Sequence, residues 1–134
     1  VDTSRIATTF LSAAEFARRL EGRTAPIKAV LLDQSFAAGV GNWIADEVLY
    51  QAGIDPRRPV HKLKPDEITA LRAALKRIIA RAVKFDAFTT EFPADWLFHI
   101  RWGKDTTART RDGHPLAFCT VGGRTTAYVP ARQK

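Results

Sequence analysis

Two glycines around one valine, followed by an asparagine, form a segment that could hold an anion. Gly39 and Gly41 flank Val40, and Asn42 begins a helix-like run. A glycine turn that leads into a helix exposes backbone N–H groups at the positive end of the helix dipole, where a phosphate can bind. Glycine lets the backbone approach the anion without an intervening side chain. The same turn is also used simply to reverse the chain between two helices.

The charge balance suits a polyanionic partner. The 134 residues include 21 Lys and Arg against 14 Asp and Glu, a formal net charge of +7. This excess favours nucleic acid or an anionic membrane surface, although a basic protein without such a partner has similar totals. The positive charge is concentrated between residues 97 and 134.

The cysteine count and the hydropathy pattern limit the possible cellular location. Cys119 is the only cysteine, so no internal disulfide can form and a reducing compartment is expected. We expect an intracellular protein, from a bacterial cytoplasm or a eukaryotic nucleus. No apolar run approaches the roughly 20 residues that cross a bilayer, so no membrane association is expected.

Capping residues and apolar periodicity predict two short helices in the first third of the chain. Ser12 and Glu15 have the spacing of a capping box, and Gly22 ends the helix that follows. A second apolar segment, residues 27–32, precedes the glycine turn. Residues 1–11 have no clear period and are interpreted as an incoming linker.

Two further helices follow the turn. One is predicted from Asn42 to Ala52, with Gly53 as its C-terminal stop. The other begins at Pro65 and carries an apolar stripe at helical period. The stripe consists of Ile68, Leu71, Leu75, Ile78, Ile79 and Ala82. The basic residues between these positions, Lys76 among them, are interpreted as a solvated face.

The C-terminal sequence pattern is typical of a β-hairpin. Residues 116–120 and 125–129 are short β-prone runs, separated by Val121-Gly122-Gly123-Arg124. The predicted class is therefore mainly α with a small C-terminal β-hairpin.

Longer motifs around the glycine turn carry a resemblance to a known family. LLDQ (31–34), AGVGN (38–42), ADE (45–47) and AGI followed by Pro56 occur in this order. The sequence resembles the formamidopyrimidine-DNA glycosylase and endonuclease VIII family of base-excision repair enzymes along essentially its whole length. The resemblance implies a helix–two-turn–helix bundle over residues 12–92, followed by a finger over residues 93–134.

The finger departs from the common family pattern. Many members carry a four-cysteine zinc site, and alignment on the C-terminal segment places its positions at Arg109, Asp112, Val129 and Arg132. None of these can supply a thiolate, and the three histidines are scattered. The resemblance therefore implies the zincless finger of plant and fungal members. We expect neither a metal nor another cofactor, and we expect packing of residues such as Leu116, Phe118 and Tyr128 to hold the hairpin.

By resemblance, five residues are candidates for DNA binding: Lys28, Gly39, Gly41, Asn42 and Arg124. Asn42 would donate to backbone phosphates beside the lesion, and Arg124 at the hairpin tip would clasp phosphates around the flipped nucleotide. A guanidinium suits phosphate because it can donate two parallel hydrogen bonds. The alternatives are a helix-start asparagine, a solvated turn arginine and, for Lys28, an ordinary surface lysine.

Two acids and three tryptophans are also singled out. Asp46 and Glu47 are adjacent on a helix, so their side chains point apart and do not form a catalytic dyad. We interpret Asp46 as a salt-bridge partner within its helix, and by resemblance Glu47 could support a catalytic proline. Three tryptophans are expected to be core anchors, with Trp43 the one to test for a DNA contact: Trp43, Trp96 and Trp102.

The family nucleophile is an N-terminal proline amine, whereas this chain begins Val1-Asp2. We therefore expect no catalytic residue in this chain and a missing N-terminal catalytic domain. We also expect a monomer. The implied function is the DNA-binding C-terminal half of a DNA glycosylase and AP lyase for oxidised or ring-opened purines. Its partner would be duplex DNA with a damaged base or an abasic site. A stand-alone DNA-binding module and an RNA-binding protein are the alternatives.

Overall fold

The helical part of the fold precedes a two-stranded antiparallel sheet, which confirms the predicted class. The computed structural model describes residues 12–33, 36, 40–84 and 92–134. Gly39 lies outside the described residues, as does the linker predicted for residues 1–11. In the described ranges, no helix is long and apolar enough to cross a membrane.

Helix α1 (Ala13–Leu20) begins where the capping residues predict. The Ser12 hydroxyl accepts a hydrogen bond from the backbone N–H of Glu15 at 3.2 Å, which satisfies a donor that the helix leaves unpaired. Gly22 follows the helix at φ 77°, a left-handed conformation that favours glycine.

Helices α2 (Ile27–Leu32) and α3 (Asn42–Ala52) lie on either side of the glycine turn. Both agree with the predicted bounds. Gly53 ends α3 at φ 74°, and its N–H donates to the Tyr50 carbonyl oxygen at 3.2 Å. The predicted glycine stop is therefore confirmed as a left-handed C-terminal cap.

Helix α4 (Pro65–Lys84) packs against α3 and closes the main core. Its predicted stripe is confirmed, with Ile68 at the partly buried margin. The buried members of this face are Leu71, Ala74, Leu75, Ile78, Ile79 and Ala82. Burial of such a face, rather than intrinsic propensity, supplies most of the stability of a helix in a protein.

The hairpin strands are shifted by one residue from the prediction. Strand β1 (Ala117–Val121) pairs with β2 (Arg124–Tyr128), and Val121 faces Arg124 in the register. The turn contains only Gly122 and Gly123, at φ 59° and 75°. Two consecutive glycines with positive φ make a two-residue turn whose twist matches that of the strands. Arg124 is therefore the first residue of β2 and not a residue of the turn.

A second hydrophobic cluster lies under the hairpin. It is formed by Leu97, Leu116, Ala127 and Val129, with Phe118 packed against it. Tyr128 is also buried, so the expected packing residues do hold the hairpin. Short 3-10 turns connect the elements at Val60–Lys62, Leu97–His99 and Trp102–Lys104.

Three of the positions that the resemblance aligns with zinc ligands make direct contacts instead: Asp112, Val129 and Arg132. Arg132 Nη1 lies 3.1 Å from Asp112 Oδ2, and both side chains are half-exposed, so the pair contributes little stability. The buried Gln133 side chain accepts from Val129 N at 2.7 Å and donates to Ile54 O at 3.0 Å. Within the described ranges, no group of three or more His, Cys, Asp or Glu side chains could hold a metal.

Candidate nucleic-acid interface

Asn42, the first residue of α3, connects this helix to the hairpin. Its Nδ2 donates to the carbonyl oxygen of Thr125 at 3.0 Å, and Thr125 directly follows Arg124 on β2. Two candidate residues that are 82 positions apart in the sequence (124 minus 42) thus belong to one surface. Asn42 Oδ1 is buried and has no hydrogen-bond partner in the described part of the structure.

The start of α3 suits an anion. Gly41 occupies the N-cap position and has no side chain that could accept from the first N–H groups, in contrast to Ser12 of α1. Its φ of −92° and ψ of −179° describe extended backbone that any residue adopts. The backbone conformation at position 41 therefore does not require glycine. The absence of a side chain at Gly41 instead allows a ligand to approach the backbone closely.

Lys28 lies beneath this surface rather than on it. Its side chain is 0% exposed, and its Nζ donates to Thr126 Oγ1 at 2.7 Å and to Thr125 O at 3.2 Å. The ammonium also lies 2.8 Å from Asp46 Oδ1, in ion-pair contact but without a well-aligned hydrogen bond. Burial lowers the pKa of Lys28, and the neighbouring Asp46 carboxylate opposes that shift. A direct contact between the Lys28 ammonium and DNA does not fit this position.

Asp46 forms the predicted ion pairs, but with other elements rather than along its own helix. Its Oδ2 accepts from Arg101 Nη2 at 2.8 Å and from the backbone N–H of Ala127 at 3.1 Å. Because Lys28 lies on α2, the Asp46 carboxylate connects α2 and α3. It also connects both helices to the segment before the hairpin and to β2. This network fixes the start of α3 against the strand that carries Arg124.

Glu47 points to the other side of α3, as expected for adjacent helical residues. Its Oε1 accepts from Phe98 N at 2.6 Å, and its Oε2 accepts from Leu97 N at 3.0 Å and Gln51 Nε2 at 3.1 Å. Burial raises the pKa of the fully buried Glu47 carboxyl to about 7, although the hydrogen bonds from Gln51 and the two backbone groups oppose this shift. Both carboxylate oxygens accept hydrogen bonds from within this chain, and two of these bonds anchor the Leu97–His99 turn.

Arg124 combines a fixed backbone with an exposed side chain. Its carbonyl oxygen accepts from Thr126 Oγ1 at 3.1 Å, and that same hydroxyl accepts from Lys28. The adjoining turn packs on α2, where a Cβ added to Gly122 would lie 3.5 Å from Ala29. The Arg124 backbone is thus held in place, and its exposed side chain can meet a ligand from solvent.

The tryptophans divide between core and surface. Trp96 is buried, and Trp43 packs its ring against Phe98 with centroids 4.8 Å apart, so both anchor the core. For Trp102 the core prediction is wrong, because the side chain is 51% exposed. The next residue, Gly103, has a φ of 74°, and the Arg101 guanidinium lies 4.6 Å from the centre of the Trp102 ring.

Sequence reasoning missed three members of this site. Thr125 and Thr126 lie in a β-prone run and Arg101 lies in the segment before the hairpin, and their spacing gives no indication that they meet Lys28 and Asp46. Strand alternation alone places neighbouring residues on opposite faces. Thr126, which is fully buried although polar, required the packed structure to reveal its partner.

Comparison with known proteins agrees with this geometry. Residues 7–94 match the sequence profile of the formamidopyrimidine-DNA glycosylase H2TH domain. The chain belongs to the formamidopyrimidine-DNA glycosylase family. The enzyme of that name from Arabidopsis thaliana is 48% identical over 120 residues, which make up 90% of this chain and 30% of that protein.

Solved structures of the family have the same fold. The MutM (Fpg) protein from Thermus thermophilus superposes with a TM-score of 0.75 at 33% identity, over 91% of this chain and 50% of that one. The Lactococcus lactis Fpg in complex with abasic-site DNA gives 0.75 at 29% identity, over 92% and 47%. The chain therefore spans half or less of the length of these family members.

Proposed function

We propose that this chain is the DNA-binding C-terminal part of a base-excision repair glycosylase and AP lyase that acts on oxidised or ring-opened purines. The observation that carries the proposal is the junction of Asn42, Thr125 and Arg124. It joins the start of α3, where anions are favoured, to an exposed arginine at the start of β2. The Lactococcus relative bound to abasic-site DNA supports the same ligand.

The chemistry of this surface matches a DNA backbone. Backbone N–H groups beside Gly41, the Asn42 amide and the Arg124 guanidinium are all donors that suit phosphate oxygens. Contacts of this kind fix the register and orientation of a duplex and carry no base sequence. The part of the chain described here thus grips the backbone around a lesion.

The proposed role is completed by a domain division, an oligomeric state and a cellular location. We propose two parts, residues 12–92 and 93–134. The buried residues of the second hydrophobic cluster all lie in 93–134, and those of the main core lie in 12–92 except Trp96. The protein would work as a zinc-free monomer, together with an N-terminal catalytic domain such as the family uses. Its place would be where DNA is, in a bacterial cytoplasm or a eukaryotic nucleus.

The test is a comparison of ligands at one salt concentration. Fluorescence anisotropy would give the affinity of the chain for an abasic-site duplex, an undamaged duplex of the same sequence and a structured RNA. We expect the two duplexes to bind more tightly than the RNA, with the abasic duplex at least as tight as the undamaged one. Equal or tighter binding of RNA would contradict the proposal, as would absence of duplex binding.

A further inference from the structure

The network beneath the proposed DNA surface has an imbalance of charge. Lys28 and Arg101 both contact the single carboxylate of Asp46, each at 2.8 Å. The three side chains are 0%, 5% and 0% exposed, respectively. Two cations therefore share one anion in a region from which water is excluded.

Among the residues that the structure describes, the groups that face Lys28 do not remove this imbalance. Asp46 on α3 is the acid, Arg101 adds a second positive charge, and the Cys119 thiol of β1 is neutral at ordinary pH because burial raises its pKa. From β2, Lys28 meets only the neutral oxygens of its two threonines, Thr125 and Thr126. A buried charge without a matching counter-charge is unfavourable, since low-dielectric surroundings replace its hydration poorly.

The excess charge lies next to the surface assigned to DNA. Lys28 Nζ and Asn42 Nδ2 donate to the same acceptor, the carbonyl oxygen of Thr125, at 3.2 and 3.0 Å. Arg101 Nε is buried and has no hydrogen-bond partner within the described ranges. An anion at the start of α3 would therefore lie near the Lys28 ammonium, which shares one carboxylate with Arg101.

We propose that Lys28 is a positioning residue for DNA: because it shares Asp46 with Arg101, the network keeps one positive charge uncompensated in the free protein, and the phosphate held at Asn42 balances it. This inference rests on the proposed function. Because the interior screens charges weakly, the attraction reaches the phosphate although the ammonium does not touch it. The strain of the free state is relieved when DNA binds.

Lys28→Met tests the inference because it removes the charge and leaves Asp46 paired with Arg101. Methionine is also unbranched, so it can occupy the space of the lysine stem. We expect an unchanged or raised melting temperature together with a loss of roughly tenfold or more in affinity for an abasic-site duplex. Lys76→Met is the matched control, since it removes the same charge from an exposed position on α4. It should change the affinity less than about threefold.

The outcomes separate the possibilities. If wild-type chain fails to bind the duplex, the proposed function fails. If wild type binds and Lys28→Met binds as well, or only as much worse as Lys76→Met, the inference is overturned. A variant that still folds but loses stability and affinity together would show a merely structural lysine and would also overturn it.

A second measurement uses the wild-type chain alone and decides the matter if Lys28→Met does not fold. The Lys28 amine can be titrated by NMR of carbon-labelled lysine, through the alkaline range in which circular dichroism shows the chain folded. We expect the abasic duplex to raise the pKa of Lys28, because a phosphate stabilises the ammonium. An identical pKa in the free and DNA-bound chain would overturn the inference.

Discussion

Asp46 and Glu47 are neighbours on α3, yet their carboxylates accept hydrogen bonds from different parts of the chain. Asp46 accepts from Arg101 and from the backbone of β2, whereas Glu47 accepts from the backbone of the Leu97–His99 turn. One helix thereby positions both the hairpin and the segment that leads to it. The two acids also make separable contributions to stability.

Glu47 predicts an unusual pH dependence of stability. Its pKa is raised from 4.5 to about 7 in the folded chain, so between these values the folded state holds a proton that the unfolded state has lost. The free energy of unfolding should therefore fall by about 1.4 kcal/mol per pH unit as pH rises through this window. Above about 7 this contribution is constant. Urea unfolding at a series of pH values measures the slope.

Glu47→Gln is the control for that slope, because an amide does not titrate. The variant should lose the pH dependence between 4.5 and about 7, and one of the two backbone N–H groups should lose its acceptor. Carboxylates with lowered pKa, such as Glu67, affect stability only at lower pH. An unchanged slope in Glu47→Gln would show that another group causes it.

Two glycines with similar φ angles should respond differently to alanine. Gly53 has a φ of 74°, and a Cβ there would lie 3.3 Å from the Arg132 carbonyl oxygen. Gly22 has a φ of 77°, and a Cβ there would have no described atom within 4 Å. Gly22→Ala should cost about 1–2 kcal/mol of unfolding free energy from backbone strain alone. Gly53→Ala should lose more, because backbone must move as well. Equal unfolding midpoints in urea would contradict the close approach.

Arg124→Ala should weaken DNA binding without affecting the fold. An exposed side chain contributes little packing, so the melting temperature should stay within about two degrees of wild type. Loss of a charge-assisted contact is worth about 1.5–3 kcal/mol, or roughly ten- to a hundredfold in affinity. Damaged and undamaged duplexes should be affected by similar factors, because phosphate contacts carry no sequence.

Arg132→Ala is the control for Arg124. Arg132 pairs with Asp112 and lies over the Tyr50 ring, at the other end of α3 from Asn42. It should change the affinity much less than Arg124→Ala does, as measured by anisotropy with the same duplex. Equal losses in the two variants would mean that overall charge, and not the Arg124 position, governs binding.

Asn42 variants separate the hydrogen bond from the charge at the start of α3. Asn42→Ala removes the donor to Thr125 and should weaken abasic-duplex binding roughly tenfold. Asn42→Asp should bind more weakly still, since a carboxylate repels phosphate, although an acid in the first turn favours the helix. Affinity and melting temperature should therefore move in different directions between the two variants. Tighter binding by the aspartate variant would contradict the proposed phosphate site.

Local patterns were sufficient to predict most of the fold. Ser12 and Gly53 mark helix ends through caps that depend on nearby residues, and the α4 stripe follows from a period of 3.6 residues. The paired glycines predict the hairpin, but the predicted bounds of both strands are wrong by one residue. Two glycines at positive φ complete the turn by themselves, so Val121 and Arg124 were free to pair.

The site was less predictable because its contacts are non-local. Lys28 and Thr126 are 98 residues apart, and a lysine in an apolar run gives no local indication of a buried partner. Asn42 and Arg124 were identified by resemblance, whereas their connection through the Thr125 carbonyl depends on how the hairpin packs on α2 and α3. Burial of Lys28 changes its proposed role from contact to positioning.

The most direct test of the central claim is the salt dependence of abasic-duplex binding by wild type and Arg124→Ala. If the chain grips phosphates, the logarithm of the association constant should fall linearly and steeply with the logarithm of salt concentration. Arg124→Ala should reduce the magnitude of that slope by about one, the value for one lost phosphate contact. A flat dependence in wild type, or an identical slope in the variant, would contradict the account.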